Sequence, residues 1–169
     1  SIGWACGKLL TLEPTAEFSR NIYAVGHVLP DNRVPLLGGN GEIDDDQYKN
    51  SDFVFGAPGA AALYKRSLIE DIKYKGQFFD ESFFLWYEDV DVDWRANNRG
   101  WKCVYVPGAV AFHIGHVGEI YPEPFRSYRA RITIRNRWLM VLANERNLRK
   151  TIWQIISYEF SLFLFIIRT

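Results

Sequence analysis

Apolar and polar positions fall into short blocks, and each block predicts an element. "WACGKLL", Trp4 to Leu10, is an apolar run that reads as a strand entering a turn at Glu13 and Pro14. From Gly26 to Ser51 the chain is rich in Gly, Asp, Asn and Pro, which predicts a long polar excursion rather than packed structure. "DFVFG" and "AAALY" predict short strands on either side of "GAPG". In "SLIE", Ser67 and Glu70 have the spacing of a capping box, which predicts a short helix from Ser67 to about Lys73, ended near Gly76.

The stretch "FFLWYEDVDVDWRANNRGW", Phe83 to Trp101, sets an apolar run against Glu88, Asp89, Asp91 and Asp93. "VDVDW" alternates with a strand's period. The acids nevertheless gather in front, Arg95 and Arg99 behind, and Gly100 follows, a polarity that suits the helix macrodipole and a left-handed cap. A helix from Glu88 to Arg99 is therefore predicted. It puts Val90 and Trp94 on one face and lets Asp91 pair with Arg95 for about 0.2 to 0.5 kcal/mol. Asp80 and Asp93 are expected in capping or solvated roles. "WKCVYVPGAVAFH" predicts two short strands around Pro107 and Gly108 that deliver His113 to the loop "IGHVG". Strand ends of this kind commonly carry chemistry.

The content is 48% hydrophobic and 16% aromatic, enough for one packed core and unlike a disordered segment. The formal net charge is zero, so no global field points to nucleic acid. Charge matters locally instead. From Arg126 to Lys150 there are seven arginines and one lysine against the single acid Glu145, with Trp138, Leu139, Leu142 and Leu148 interleaved. Such a run reads either as an interfacial membrane anchor or as a helix packing across the domain with its arginines on solvent. The apolar stretch from Ile152 to Ile167 is shorter than the roughly 20 residues of a spanning helix. It reads as a core helix, an interfacial helix or part of a membrane segment. Cys6 and Cys103 form no metal or disulfide pattern, and a reduced cytosolic setting is expected. The chain opens without methionine and stops inside an apolar run, from which a fragment cut at both ends is expected.

Alternating short strands and helices predict an α/β class. Within it, the ordered pieces "GAPGAAALYKRS", "FDESFF", "YEDVDVDWR", "GW", "YVPGAVAFH" and Arg135-Asn136 resemble the C-terminal part of the catalytic domain of family 2 glycosyltransferases. The resemblance spans roughly residues 53–144 and is nearest to rhamnosyltransferase-like members acting on cell-surface polysaccharide. No single piece is specific; the order of all six carries it. It implies an incomplete GT-A-like fold over residues 1–125 and a helical region over residues 126–169. It also implies an inverting transfer of a sugar, rhamnose in that subgroup, from a nucleotide-sugar donor to a glycan or lipid-linked acceptor.

Such a transfer needs a base for the acceptor hydroxyl. The resemblance gives that role to Asp89, with Glu88 beside it. On the residues alone, Asp89 reads rather as an acid that stabilises a helix start by about 0.3 to 1 kcal/mol, and it is the resemblance that favours the base. Phe83, Phe84, Trp86 and Tyr87 would form an apolar wall that makes a neighbouring carboxylate a stronger base, and Trp86 and Tyr87 are also candidates for substrate binding. Gly56 and Gly59 either let the backbone approach a ligand closely or form a tight turn. Arg66 either neutralises phosphate or pairs with Glu70. The resemblance further implies Mg²⁺ or Mn²⁺ at the departing diphosphate, with His113 as a ligand and His116 a weaker candidate. The chain departs from the family in one respect. The expected Asp-x-Asp should precede "IGWACGKLL", whereas Asp44 to Asp46 follow it and read as a solvated loop. The donor-binding half is thus missing, and this stretch alone is expected to be inactive, with the complete enzyme peripheral on the cytoplasmic face of a membrane. The alternative from another class is a non-catalytic carbohydrate-binding domain using the aromatic cluster as a sugar platform.

Overall fold

The computed structural model describes residues 1–12, 18–114 and 124–166. The turn expected at Glu13 and Pro14, and His116, lie outside the described residues. The architecture is mixed α/β. Its frame is β1 (Ile2–Leu12) laid parallel to β7 (Lys102–His113), with β2 (Phe18–Ala24) and β6 (Ala62–Tyr64) antiparallel along the far edge of β1 and β5 (Asp52–Val54) antiparallel to β7. Two short strands, β3 (His27–Val28) and β4 (Leu36–Leu37), pair with each other inside the polar excursion. After β6, the described residues form the helices α1 (Arg66–Ile72), α2 (Glu88–Asn98), α3 (Phe125–Asn144) and α4 (Leu148–Ile166).

"WKCVYVPGAVAFH" is one strand, not two. The ladder steps from Gly7 opposite Val106 to Lys8 opposite Val110, so residues 107–109 bulge out and pairing resumes up to His113. Gly7 permits this, because a Cβ there would sit 1.9 Å from the Ala109 carbonyl oxygen. The capping box is also absent. Helix α1 begins one residue early, at Arg66, with Lys65 in the cap position and no side chain capping it. Glu70 is drawn instead to Lys73, 2.7 Å away. Asp80 does cap, accepting a hydrogen bond from the Ser82 N–H at the start of a 3-10 turn over Glu81–Phe83.

Helix α2 is sandwiched. Its stripe Asp89, Val92, Asp93 and Ala96 faces the sheet, where Val92 and Ala96 join Trp4, Cys6, Ile22, Leu68, Cys103 and Tyr105 in one core. The opposite stripe carries Val90 and Trp94, which pack with Phe83, Met140, Val141 and Ile155 in a second core shared with α3 and α4. The expected Asp91–Arg95 pair forms at 2.8 Å, but it is not a surface pair: Asp91 is 1% exposed and also accepts a hydrogen bond from Asn144 of α3 at 2.7 Å. Removing one partner of so buried a pair costs about 3 to 5 kcal/mol, well above the value for an exposed helix pair. Arg95 also donates to the carbonyls of Ile72 and Phe78, tying α2 to the end of α1.

Among the described residues, Arg135, Arg137 and Arg146 hydrogen-bond to other parts of the chain, and of these Arg137 is buried. Arg135 donates to the Ser82 carbonyl, Arg137 to the Asn32 carbonyl and to Glu159, and Arg146 to the Asn98 carbonyl. Arg33 in the excursion reaches Glu145 at 2.8 Å. Among the described residues no helix is long and apolar enough to cross a membrane. Cys6 and Cys103 are free, buried thiols on adjacent strands.

Candidate functional site

The chain enters α2 through a turn that most side chains resist. Phe84, Trp86 and Tyr87 have φ of 62°, 63° and 72°, left-handed values that cost a non-glycine residue about 1 to 3 kcal/mol each. Asn136 of α3 holds this turn. Its side-chain amide, fully buried, donates to the carbonyls of Phe83, Leu85 and Trp86 at 2.8, 2.8 and 2.9 Å. Arg135 steadies the amide by donating to its oxygen at 2.9 Å. Asn136→Ala should leave these carbonyls short of a donor and cost about 2 kcal/mol or more, lowering Tm by about 4 to 8 °C. A melting curve unchanged by the substitution would mean that the turn holds itself.

The turn presents Glu88 and Asp89 at the head of α2. Asp89 accepts hydrogen bonds from the Gly59 N–H at 2.9 Å and from the Val90 N–H at 2.8 Å, and its side chain is 20% exposed. It is oriented yet reachable. Glu88 is half-buried, and its Oε2 has no hydrogen-bond partner. Burial, reinforced by Asp89, pushes the Glu88 carboxyl above its ordinary value.

Asp93, expected in solvent or at a cap, is instead fully buried, because its place four residues after Asp89 on α2 turns it toward the sheet. It accepts hydrogen bonds from Trp4 Nε1 at 2.8 Å, from the Ala57 N–H at 3.2 Å and from His27 Nδ1 at 2.7 Å. Burial raises its carboxyl to about 6 against the pull of His27. The polar excursion is thus not all excursion, since His27 lies 4% exposed under α2. Burial works against the charged imidazole, but the hydrogen bond and charge of Asp93, with Asp89 behind it, raise His27 above its ordinary value. His27 Nε2 stands 3.7 Å from Asp89 Oδ2. One ring therefore lies between two carboxylates of a single helix face. Asp44 also departs from a solvated loop, since it pairs with the buried Lys8 of β1 at 2.8 Å, whereas Asp45 and Asp46 are exposed.

The remaining candidates are placed as follows. Gly56 lies against Asp93: a Cβ there would fall 1.8 Å from Asp93 Oδ2, so this glycine makes room for the protein's own carboxylate. Gly59 faces Asp89, where a Cβ would lie 3.3 Å from Oδ2. Arg66 is exposed at the start of α1. Trp86 packs edge-on against Phe125, with the Arg129 guanidinium 5.4 Å above its ring. Tyr87 and the buried Phe83 join the second core, but Phe84 is 76% exposed and forms no part of an apolar wall. His113 closes β7 opposite Thr11, its ring edge-on to Tyr23 at 4.7 Å. Among the described residues no group of three or more His, Cys, Asp or Glu side chains could hold a metal ion. The described donors around His113 therefore do not make a Mg²⁺ or Mn²⁺ site by themselves.

Sequence reading missed His27, Trp4 and the clamp role of Asn136. The spacing of Asp89 and Asp93 was a legible half of the arrangement. His27 lies 66 residues from Asp93, and no local pattern links them.

A mixed α/β domain with an oriented carboxylate at a helix start is an arrangement that many folds share, and comparison with known proteins narrows it to a distant, partial glycosyltransferase-like relationship. The relative is the N-acetylglucosaminyl-diphospho-decaprenol L-rhamnosyltransferase of Mycobacterium tuberculosis, matched in strains CDC 1551 / Oshkosh and ATCC 25618 / H37Rv at 38% identity over 55 residues. The match covers 32% of this chain and 17% of each relative, under a fifth of their length. No family model matches the chain.

Proposed function

We propose that this chain carries the acceptor side of an inverting, GT-A-type glycosyltransferase that builds cell-surface glycan. The observation that carries the proposal is Asp89: a carboxylate fixed by two backbone N–H groups at the mouth of a helix, still reachable from solvent, beside the half-buried Glu88. In the reaction the acceptor hydroxyl attacks the anomeric carbon of a nucleoside-diphospho-sugar. The new C–O bond forms as the bond to the diphosphate oxygen breaks, the hydroxyl proton passes to Asp89, and the nucleoside diphosphate leaves with the electron pair. Gly59 orients the base through its N–H, and Trp86 and Tyr87, at the same turn, would contact sugar. Rhamnose as the transferred sugar, and a lipid-linked acceptor, rest on the partial relative and belong to the proposal.

Mg²⁺ or Mn²⁺ at His113 would need donors beyond the described residues, and no step here is routed through it. Peripheral attachment to the cytoplasmic face of a membrane does not draw on Arg135, Arg137 and Arg146, whose guanidiniums hydrogen-bond within the chain. Its support is the apolar stripe of Trp153, Ile156 and Phe160, exposed on α4.

The test is a transfer assay on the full-length protein with a nucleoside-diphospho-rhamnose and a polyprenyl-diphospho-N-acetylglucosamine acceptor. Acceptor-dependent release of nucleoside diphosphate is expected. Saccharide binding with no turnover across the common nucleotide-sugars would overturn the enzyme reading in favour of a carbohydrate-binding domain.

A further inference from the structure

We infer that His27 is the positioning residue for the Asp89 carboxylate, anchored by Asp93 so that its second ring nitrogen faces the base; this rests on the transferase reading above.

Geometry carries the inference. His27 Nδ1 is 2.7 Å from Asp93 Oδ2, and the other two hydrogen bonds that Asp93 accepts, from Trp4 and Ala57, fix that carboxylate in turn. The backbone of His27 is fixed as well, since its N–H donates to the Gly56 carbonyl at 2.8 Å. With the ring held at Nδ1, the Nε2 atom stands 3.7 Å from Asp89 Oδ2. That separation is too long for a hydrogen bond but close for opposite charges. In the imidazolium form both nitrogens carry a proton: Nδ1–H bonds Asp93, and Nε2–H stands within ion-pair distance of Asp89. The neutral ring would instead turn a lone pair toward Asp89.

The groups that face His27 support the charged form. Asp93 and Asp89 come from α2, at 2.7 and 3.7 Å from the ring nitrogens, and their charge favours the imidazolium; Glu88, at the head of the same helix, and Cys6, on β1, lie within electrostatic reach of the ring. The Tyr64 phenol on β6 feels the same two aspartates. Two carboxylates therefore flank one cation. A cation at this point offsets the repulsion among Glu88, Asp89 and Asp93 and keeps Asp89 in one orientation. His27 exchanges no proton with the substrate, and its effect on the reaction passes through Asp89.

Two measurements on the full-length protein test this. The first follows the ¹³C-labelled His27 imidazole by NMR through a pH titration, assigned by its loss in His27→Gln. In Asp89→Asn the ring should release its proton at lower pH than in the wild type, and an unmoved titration overturns the inference. The second is steady-state transfer. His27→Gln should lower kcat about 10- to 100-fold with the donor KM little changed, and it should abolish the alkaline fall in kcat that the wild type shows as His27 loses its proton. A folded His27→Gln protein with wild-type kcat overturns the inference. If His27→Gln does not fold, the imidazole signal is assigned by through-bond connectivity to the His27 backbone, and the titration in Asp89→Asn decides alone. A wild-type protein that transfers no sugar sinks the transferase reading, whereas turnover with an uncoupled His27 sinks only this inference.

Discussion

Asp89→Asn should reduce sugar transfer about 10²- to 10⁴-fold, the range that a positioned general base supplies. The substitution keeps the shape of the side chain. One oxygen still accepts from a backbone N–H, and the head of α2 stays held by the turn beneath it. What disappears is the capacity to take the acceptor proton. Binding of the nucleotide-sugar, followed by fluorescence or calorimetry in the full-length protein, should stay within a few-fold of the wild type. Turnover retained in this variant would remove Asp89 from the role of base, and Glu88, whose Oε2 is buried without a partner, would be the next carboxylate to examine.

Gly56→Ala should be strongly destabilising. Its Cβ would lie 1.8 Å from Asp93 Oδ2, 1.9 Å from Cγ and 2.5 Å from Cβ, distances that no pair of atoms tolerates. Neither side can yield cheaply. Gly56 is fixed by the His27 N–H that its carbonyl accepts, and Asp93 by Trp4, Ala57 and His27. Overpacking combined with displacement of a buried carboxylate from its donors should cost about 3 kcal/mol or more, a Tm loss of about 6 to 12 °C. Gly59→Ala is the built-in comparison, since its Cβ would meet Asp89 Oδ2 at 3.3 Å, where a partly exposed side chain can give way. Comparable melting temperatures for the two variants would contradict the packing described for Gly56.

The legible parts of this molecule were those written in local spacing. Helix α2 could be read from its charge polarity and from Gly100, and the Val90–Trp94 face and the Asp91–Arg95 pair followed from the same period. What stayed hidden was sidedness. The sequence pattern could say that Asp89 and Asp93 lie on one face but not that this face meets the sheet, which is what buries Asp93. His27 was illegible for a different reason: a polar, glycine-rich stretch carries no signal that one of its residues turns inward. The strand through Pro107 was split because Pro107 and Gly108 mark turns in isolation, whereas the neighbouring strand and Gly7 accommodate them as a bulge. The second core depended on α3 and α4 packing back onto α2, where Asn136 turns out to be a turn clamp.

The two-sided burial of α2 also determines which part of this molecule is rigid. Asp93 pins the helix to the sheet and Asp91 pins it to α3, so sliding or rolling would break two sets of buried hydrogen bonds at once. Residues 84–87 are tied differently: the carbonyls of Leu85 and Trp86 rest on the Asn136 amide, Trp86 packs on Phe125, and Tyr87 reaches the second core. Backbone strain is gathered in this turn, and α2 is the rigid member against which the turn is set.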